Sequence, residues 1–172
     1  MTTTGKGSRR RRDERGAALV ELAIVLPVFL VLVFGMIDFG IAFSDYQNVR
    51  SGTREAARLG VVNDVNNAPS CKINGSTVTP PATPVSATDA TNALLCKAKD
   101  RIGLKDDDLH LKIVISGQEI GDRMKVCASF PVSALTGLTA SFLGDRTLTA
   151  AVTMRLEQPP SFAEFTEAGG AC

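Results

Sequence analysis

The chain has 172 residues, enough for one domain, with 44% hydrophobic and 22% charged residues and no tryptophan. Its net charge of +1 hides an uneven distribution: residues 1–16 hold six basic side chains and two acidic ones, leaving 13 basic against 16 acidic in 17–172. A strongly basic nucleic-acid-binding surface on the larger part is therefore not expected.

Residues 1–16 form a basic, polar leader containing Lys6, Arg9, Arg10, Arg11, Arg12 and Arg15. Residues 17–37 follow as an apolar run whose only ionisable side chain is Glu21. As a helix it would be about 32 Å long, the thickness of a bilayer's hydrocarbon core. The arginines before it predict a cytoplasmic N-terminus and an extracytoplasmic remainder. A cleaved secretory signal is the competing reading, but its apolar core should be shorter and end at a small-residue cleavage site. "FGMIDFGIAF" offers no such site.

The helix is expected to run on through 38–62. Phe39, Ala42, Tyr46, Val49, Thr53, Ala56 or Ala57, and Gly60 recur at steps of three or four. Asp45, Gln47, Arg50, Arg54, Glu55 and Arg58 fill the other side. This predicts an amphipathic extension whose small-residue stripe packs on the chain's own domain.

Residues 63–89 read as a loop with a tight turn, or a short hairpin, at Asn74-Gly75. Asn74-Gly75-Ser76 also matches a glycosylation pattern, which the turn explains. A second helix is predicted from a cap at Thr88 or Asp89 to a stop at Gly103. Strands are predicted over 109–116, 123–132 and 146–157 from alternating apolar positions, the first two joined as an antiparallel hairpin. The segment 133–144 reads as a loop or a short apolar helix, and 158–172 as a flexible tail. The fold class is α+β: a long transmembrane-plus-amphipathic helix packed on a small three-stranded antiparallel sheet with a second helix. Residues 63–157 would form the exported domain.

Cys71, Cys96, Cys127 and Cys172 all follow the apolar run. An even count in an exported domain suits two disulfides, with three connectivities open, or some free thiols. Cys71–Cys96 would tie the loop to the second helix and stabilise the domain by about 3 kcal/mol. Cys127–Cys172 is then the remainder. No metal-ligand spacing, phosphate loop or dinucleotide fingerprint is present, so no cofactor or metal is expected. His110, the sole histidine, is expected on the exposed face of its strand, and Asp106-Asp107-Asp108 in a solvated turn. Nothing supports an enzyme.

A carboxylate in hydrocarbon costs a few kcal/mol. In an uncut span Glu21, only a turn and a half from Arg15, would reach toward the interface. Alternatively, cleavage between Gly16 and Ala17 creates a positive amine on Ala17. Glu21 is then four residues on, on the same helical face, able to neutralise that amine or a neighbour's.

"RGAALVELAIVLPVFLVLVFGMIDFGIAFSDYQNVRSGTREAARLG" resembles the N-terminus of the TadE-like proteins, pseudopilins of the tight-adherence (Flp-type) pilus machinery. The arginine-glycine junction, Glu21, Leu26-Pro27, Asp38-Phe39-Gly40, Tyr46 and Arg54-Glu55-Ala56-Ala57-Arg58 carry the resemblance. A looser one extends over 124–157. The resemblance implies cutting at Gly16-Ala17 by a prepilin peptidase, with Glu21 and Leu22 in recognition and assembly. It further implies other pilin or pseudopilin subunits and inner-membrane platform proteins as partners in the lipid bilayer, and no nucleic acid. Leu22 stands where major Flp pilins carry an aromatic residue, and the chain is much longer than they are. It therefore looks like a minor or accessory pseudopilin. The rival is an uncleaved single-span cell-surface binding module.

Overall fold

The computed structural model of the chain describes residues 10–132, 136–137 and 146–170, with side chains from Gly16 onward. The expected leader up to residue 9, most of the 133–144 segment and Cys172 lie outside the described residues.

One helix, α1, runs from Arg10 to Val61. It passes through Pro27, whose missing N–H removes one backbone bond from a long ladder without ending it. The helix stops where Asn63 takes a left-handed φ of 55° and the Asp64 N–H returns to the Leu59 carbonyl. The Val61 carbonyl is further capped by the N–H groups of Glu157 and Gln158.

Strands β1 (Cys71–Ile73) and β2 (Ser76–Val78) form a hairpin. Its two turn residues, Asn74 and Gly75, have φ of 50° and 77°, the left-handed pair that a two-residue hairpin turn requires. Helix α2 spans Ala87–Ile102. Its cap is Ser86 rather than Thr88 or Asp89: the Ser86 hydroxyl accepts the Asp89 N–H at 3.1 Å and donates to the Asp89 carboxylate at 2.7 Å. Gly103 ends the helix in the left-handed region, as expected.

Strands β3 (His110–Ile115), β4 (Arg123–Pro131), β5 (Thr147–Arg155) and β6 (Phe165–Thr166) form one antiparallel sheet in the order β5-β4-β3-β6. The α+β class and the meander of the first three strands match the sequence reading; the strand number does not. Among the described residues there are six strands in two sheets: β1 and β2 are the hairpin offered at Asn74-Gly75, and β6 is too short to show a period of two.

Residues 158–170 are not a loose tail. Phe162 is buried, β6 pairs with β3, and Glu167 is 2% exposed. What fixes it is polar and non-local. Glu167 takes hydrogen bonds from Lys99 Nζ at 2.8 Å, Leu111 N at 3.0 Å and Asn74 N at 3.2 Å. Lys99 gives its remaining donors to the carbonyls of Lys72 and Asp106. This buried ion pair, with its hydrogen-bonding capacity used, joins α2, the hairpin turn, β3 and the C-terminal segment.

The second half of α1 packs on β4 and β5 and against α2, whose buried residues join the same core. Val49, Ala56, Ala57, Leu94, Leu95, Leu111, Ile113, Met124 and Val126 form the core. Close approach needs small residues. A Cβ on Gly52 would lie 2.5 Å from the Ile102 Cα, and one on Gly60 2.5 Å from the Met124 methyl. The small-residue stripe thus packs on the chain's own domain. Its phase differs from the expected one at the membrane-proximal end, where Phe39 is 65% exposed and Tyr46 is exposed too. Stepping back from Val49 by fours and threes gives Asp45, Ala42 and Asp38, and these are the half-buried or buried positions. Asp45 therefore lies on the domain side rather than the polar side.

The structure joins Cys71 to Cys96 with an S–S distance of 2.01 Å, tying β1 to α2. Cys127 is also disulfide-bonded. Its expected partner, Cys172, lies outside the described residues.

Candidate functional site on the N-terminal helix

The candidate site is built on α1 alone. From Gly16 to Leu32 every residue is exposed, including Ala17, Glu21 and Leu22. Helix α1 is the one helix among the described residues long and apolar enough to cross a membrane, and none of that stretch is buried in the fold. Apolar side chains such as Leu19, Ile24, Val28 and Phe29 are more than half exposed. That is the wrong arrangement for water and the right one for lipid, where the solvent is itself apolar and backbone groups are satisfied inside the helix.

Gly16 and Ala17 sit within continuous helix, and a Cβ on Gly16 would meet nothing within 4 Å. Glu21 is one helical turn beyond Ala17 on the same face. It has no hydrogen bond or ion pair among the described residues. The expected processing and assembly residues are thus gathered on an open stretch of helix, within reach of other molecules rather than of the chain's own domain.

The second half of the site is where the helix meets the domain. Asp38 is 3% exposed. Its carboxylate accepts the Thr136 backbone N–H at 3.1 Å and the Thr136 hydroxyl at 2.5 Å. An apolar helix of this kind cannot carry a bare carboxylate beside lipid cheaply. Here the carboxylate is turned inward and holds Thr136 against the point where the free helix ends. Seven residues on, Asp45 is half-buried and burial pushes its carboxyl up from the ordinary range.

Sequence reasoning named Asp38 only as part of a resemblance and missed its role. The available signal was its phase: it lies eleven residues before Val49, on the buried stripe. Lys99 was missed although it stands four residues after Leu95 and three before Ile102, on the buried face of α2. His110 is half-buried, not exposed. Its ring lies against Gly169, and its Nδ1 is buried without a hydrogen-bond partner among the described residues. Asp106 accepts the Lys72 N–H and Asp107 pairs with Lys72 Nζ, so the acidic turn clamps the hairpin. Among the described residues, no group of three or more potential metal ligands comes together.

No curated protein and no solved structure matches the chain. A family model described as TadE-like protein matches residues 16–58. From the glycine before the apolar run to the arginines near the end of α1, about a quarter of the chain, the sequence is TadE-like.

Proposed function

We propose that the chain is a minor or accessory pseudopilin that helps assemble a tight-adherence pilus, in a structural and not a catalytic role. The TadE-like match and the membrane-length helix fit a protein related to that machinery. The observation that carries the finer reading is the division of α1. Its first half stands free with Gly16, Ala17 and Glu21 exposed, while its second half is core of the domain. A subunit delivered by one helix and recognised through the head of that helix has this form.

In this reading the N-terminus is cytoplasmic and the domain extracytoplasmic. A prepilin peptidase cuts between Gly16 and Ala17. Glu21 then neutralises the new amine, and pilin or pseudopilin subunits and platform proteins are the partners. Intact-mass measurement in cells that contain the peptidase should give a chain beginning at Ala17. A full-length N-terminus there refutes processing and leaves the uncleaved binding module. A deletion strain should lose or alter its pili, and normal piliation would refute the assembly role.

A further inference from the structure

Strand β5 lies at the edge of the sheet, and among the described residues nothing pairs with its other side. Its nine residues pair with β4 without a break in register, so no bulge twists the edge away. It contains no proline, and its only charge is the terminal Arg155. Proteins normally blunt such an edge, because its free N–H and C=O groups template another strand. The other edge, β6, is blunted by being two residues long.

The free groups can be assigned. Val132 N donates to Arg146 O, and Leu156 N donates to Asp122 O. With the register, these bonds make the even-numbered residues of β5 the ones bonded to β4. Thr147, Thr149, Ala151, Thr153 and Arg155 therefore aim their N–H and C=O groups outward.

Along this edge runs a groove of about 330 Å³, lined by Thr149 to Val152 on one side and by Tyr46, Arg50 and Arg54 of α1 on the other. Arg50 and Arg54 are exposed and have no ion pair or hydrogen bond among the described residues. One helical turn apart, they are separated by about 6 Å along the axis. Alternate residues of an extended strand are separated by about 6.6 Å. A strand added to β5 would place the side chains opposite Ala150 and Val152 on the α1 side of the sheet. Those two side chains are small, so the arginines can be reached over them.

We propose that the β5 edge is a docking site for an extended acidic polypeptide segment of another protein. The segment adds as a fifth strand and presents carboxylates at alternate positions to Arg50 and Arg54. A second copy of this chain fits less well, because two-fold pairing of β5 with β5 brings the two arginine pairs towards each other.

The test uses the full chain in detergent micelles and two nine-residue peptides, one with glutamate at every second position and its twin with lysine. The glutamate peptide should bind and slow amide exchange across 147–155. The lysine peptide should bind about tenfold more weakly, as should the glutamate peptide to the Arg50→Ala/Arg54→Ala variant. Ala151→Pro, which removes an outward N–H and spares the β4 ladder, should weaken binding similarly. Formation of the Cys71–Cys96 bridge and an unchanged melting temperature report that it folds, and the arginine variant tests the site independently. Equal binding of both peptides, no protection of 147–155, or binding unchanged in both variants overturns the proposal. Efficient cross-linking between Ala151→Cys chains would show self-pairing and overturn the choice of partner.

Discussion

Lys99 and Glu167 lie in the core only because each satisfies the other and the backbone around them. Removing one partner strands the other charge, so Glu167→Ala should cost about 3–5 kcal/mol. Replacing both with apolar residues of similar volume should cost much less, and chemical unfolding of the two variants checks the difference. Asp38→Ala should cost about 1–3 kcal/mol by leaving the Thr136 N–H without its acceptor. Two carboxylates contribute to the pH response with opposite signs. Lys72, hydrogen-bonded at 2.9 Å, holds the Asp107 carboxyl below the usual range. That small contribution is present above the ordinary aspartate pKa and is lost as the pH falls through the lowered value. Asp45 has the opposite sign. Its raised pKa favours the protonated folded form, so that stability is lost as the pH rises through the raised value. Melting from about pH 2 to about pH 7 should therefore show Asp107→Asn flattening the acid side and Asp45→Asn stabilising the chain at neutral pH.

At the scale of elements, the sharpest constraint is the crossing of α1 and α2. Gly52→Ala gains about 1 kcal/mol in helix propensity. Its new methyl meets the Ile102 backbone at 2.5 Å, which no side-chain rotation relieves. Overpacking of this kind costs about 1–3 kcal/mol, so the net effect on thermal unfolding should be destabilising. The long elements were legible in the sequence for physical reasons. Leu111 and Ile113, and Met124, Val126 and Ala128, alternate because one face of the sheet is buried. The small residues of α1 recur because another helix comes close. Of the short elements, the β1–β2 hairpin was signalled by its turn, Asn74-Gly75, while β6 was not legible, since two residues carry no period. Nor was the ordering of the C-terminal segment, which depends on Lys99 meeting a glutamate 68 residues away. The phase of α1 near Asp38 was misread because Phe39 and Tyr46 look like core when water is taken as the only solvent.

For the whole molecule, one helix belongs to two environments, and its first half gains nothing from the fold. On the proposed function, Glu21→Ala should leave domain stability and membrane insertion unchanged while impairing pilus assembly. Circular dichroism of the variant in detergent and counts of pili on cells check the two parts, and unchanged piliation would count against Glu21. Helix α1 also runs alongside β5 in the same direction: Tyr46, Arg50 and Arg54 lie beside Thr149 to Val152, and Val61 meets Glu157. A pull along the membrane end of α1 therefore loads its contacts in shear, all together, rather than peeling them one by one. The Asp38–Thr136 clamp at the point of entry and the glycine-packed crossing behind it therefore share that load. The free half of α1 and the domain are thus one tension member, suited to transmitting force from whatever holds that half into whatever the domain holds.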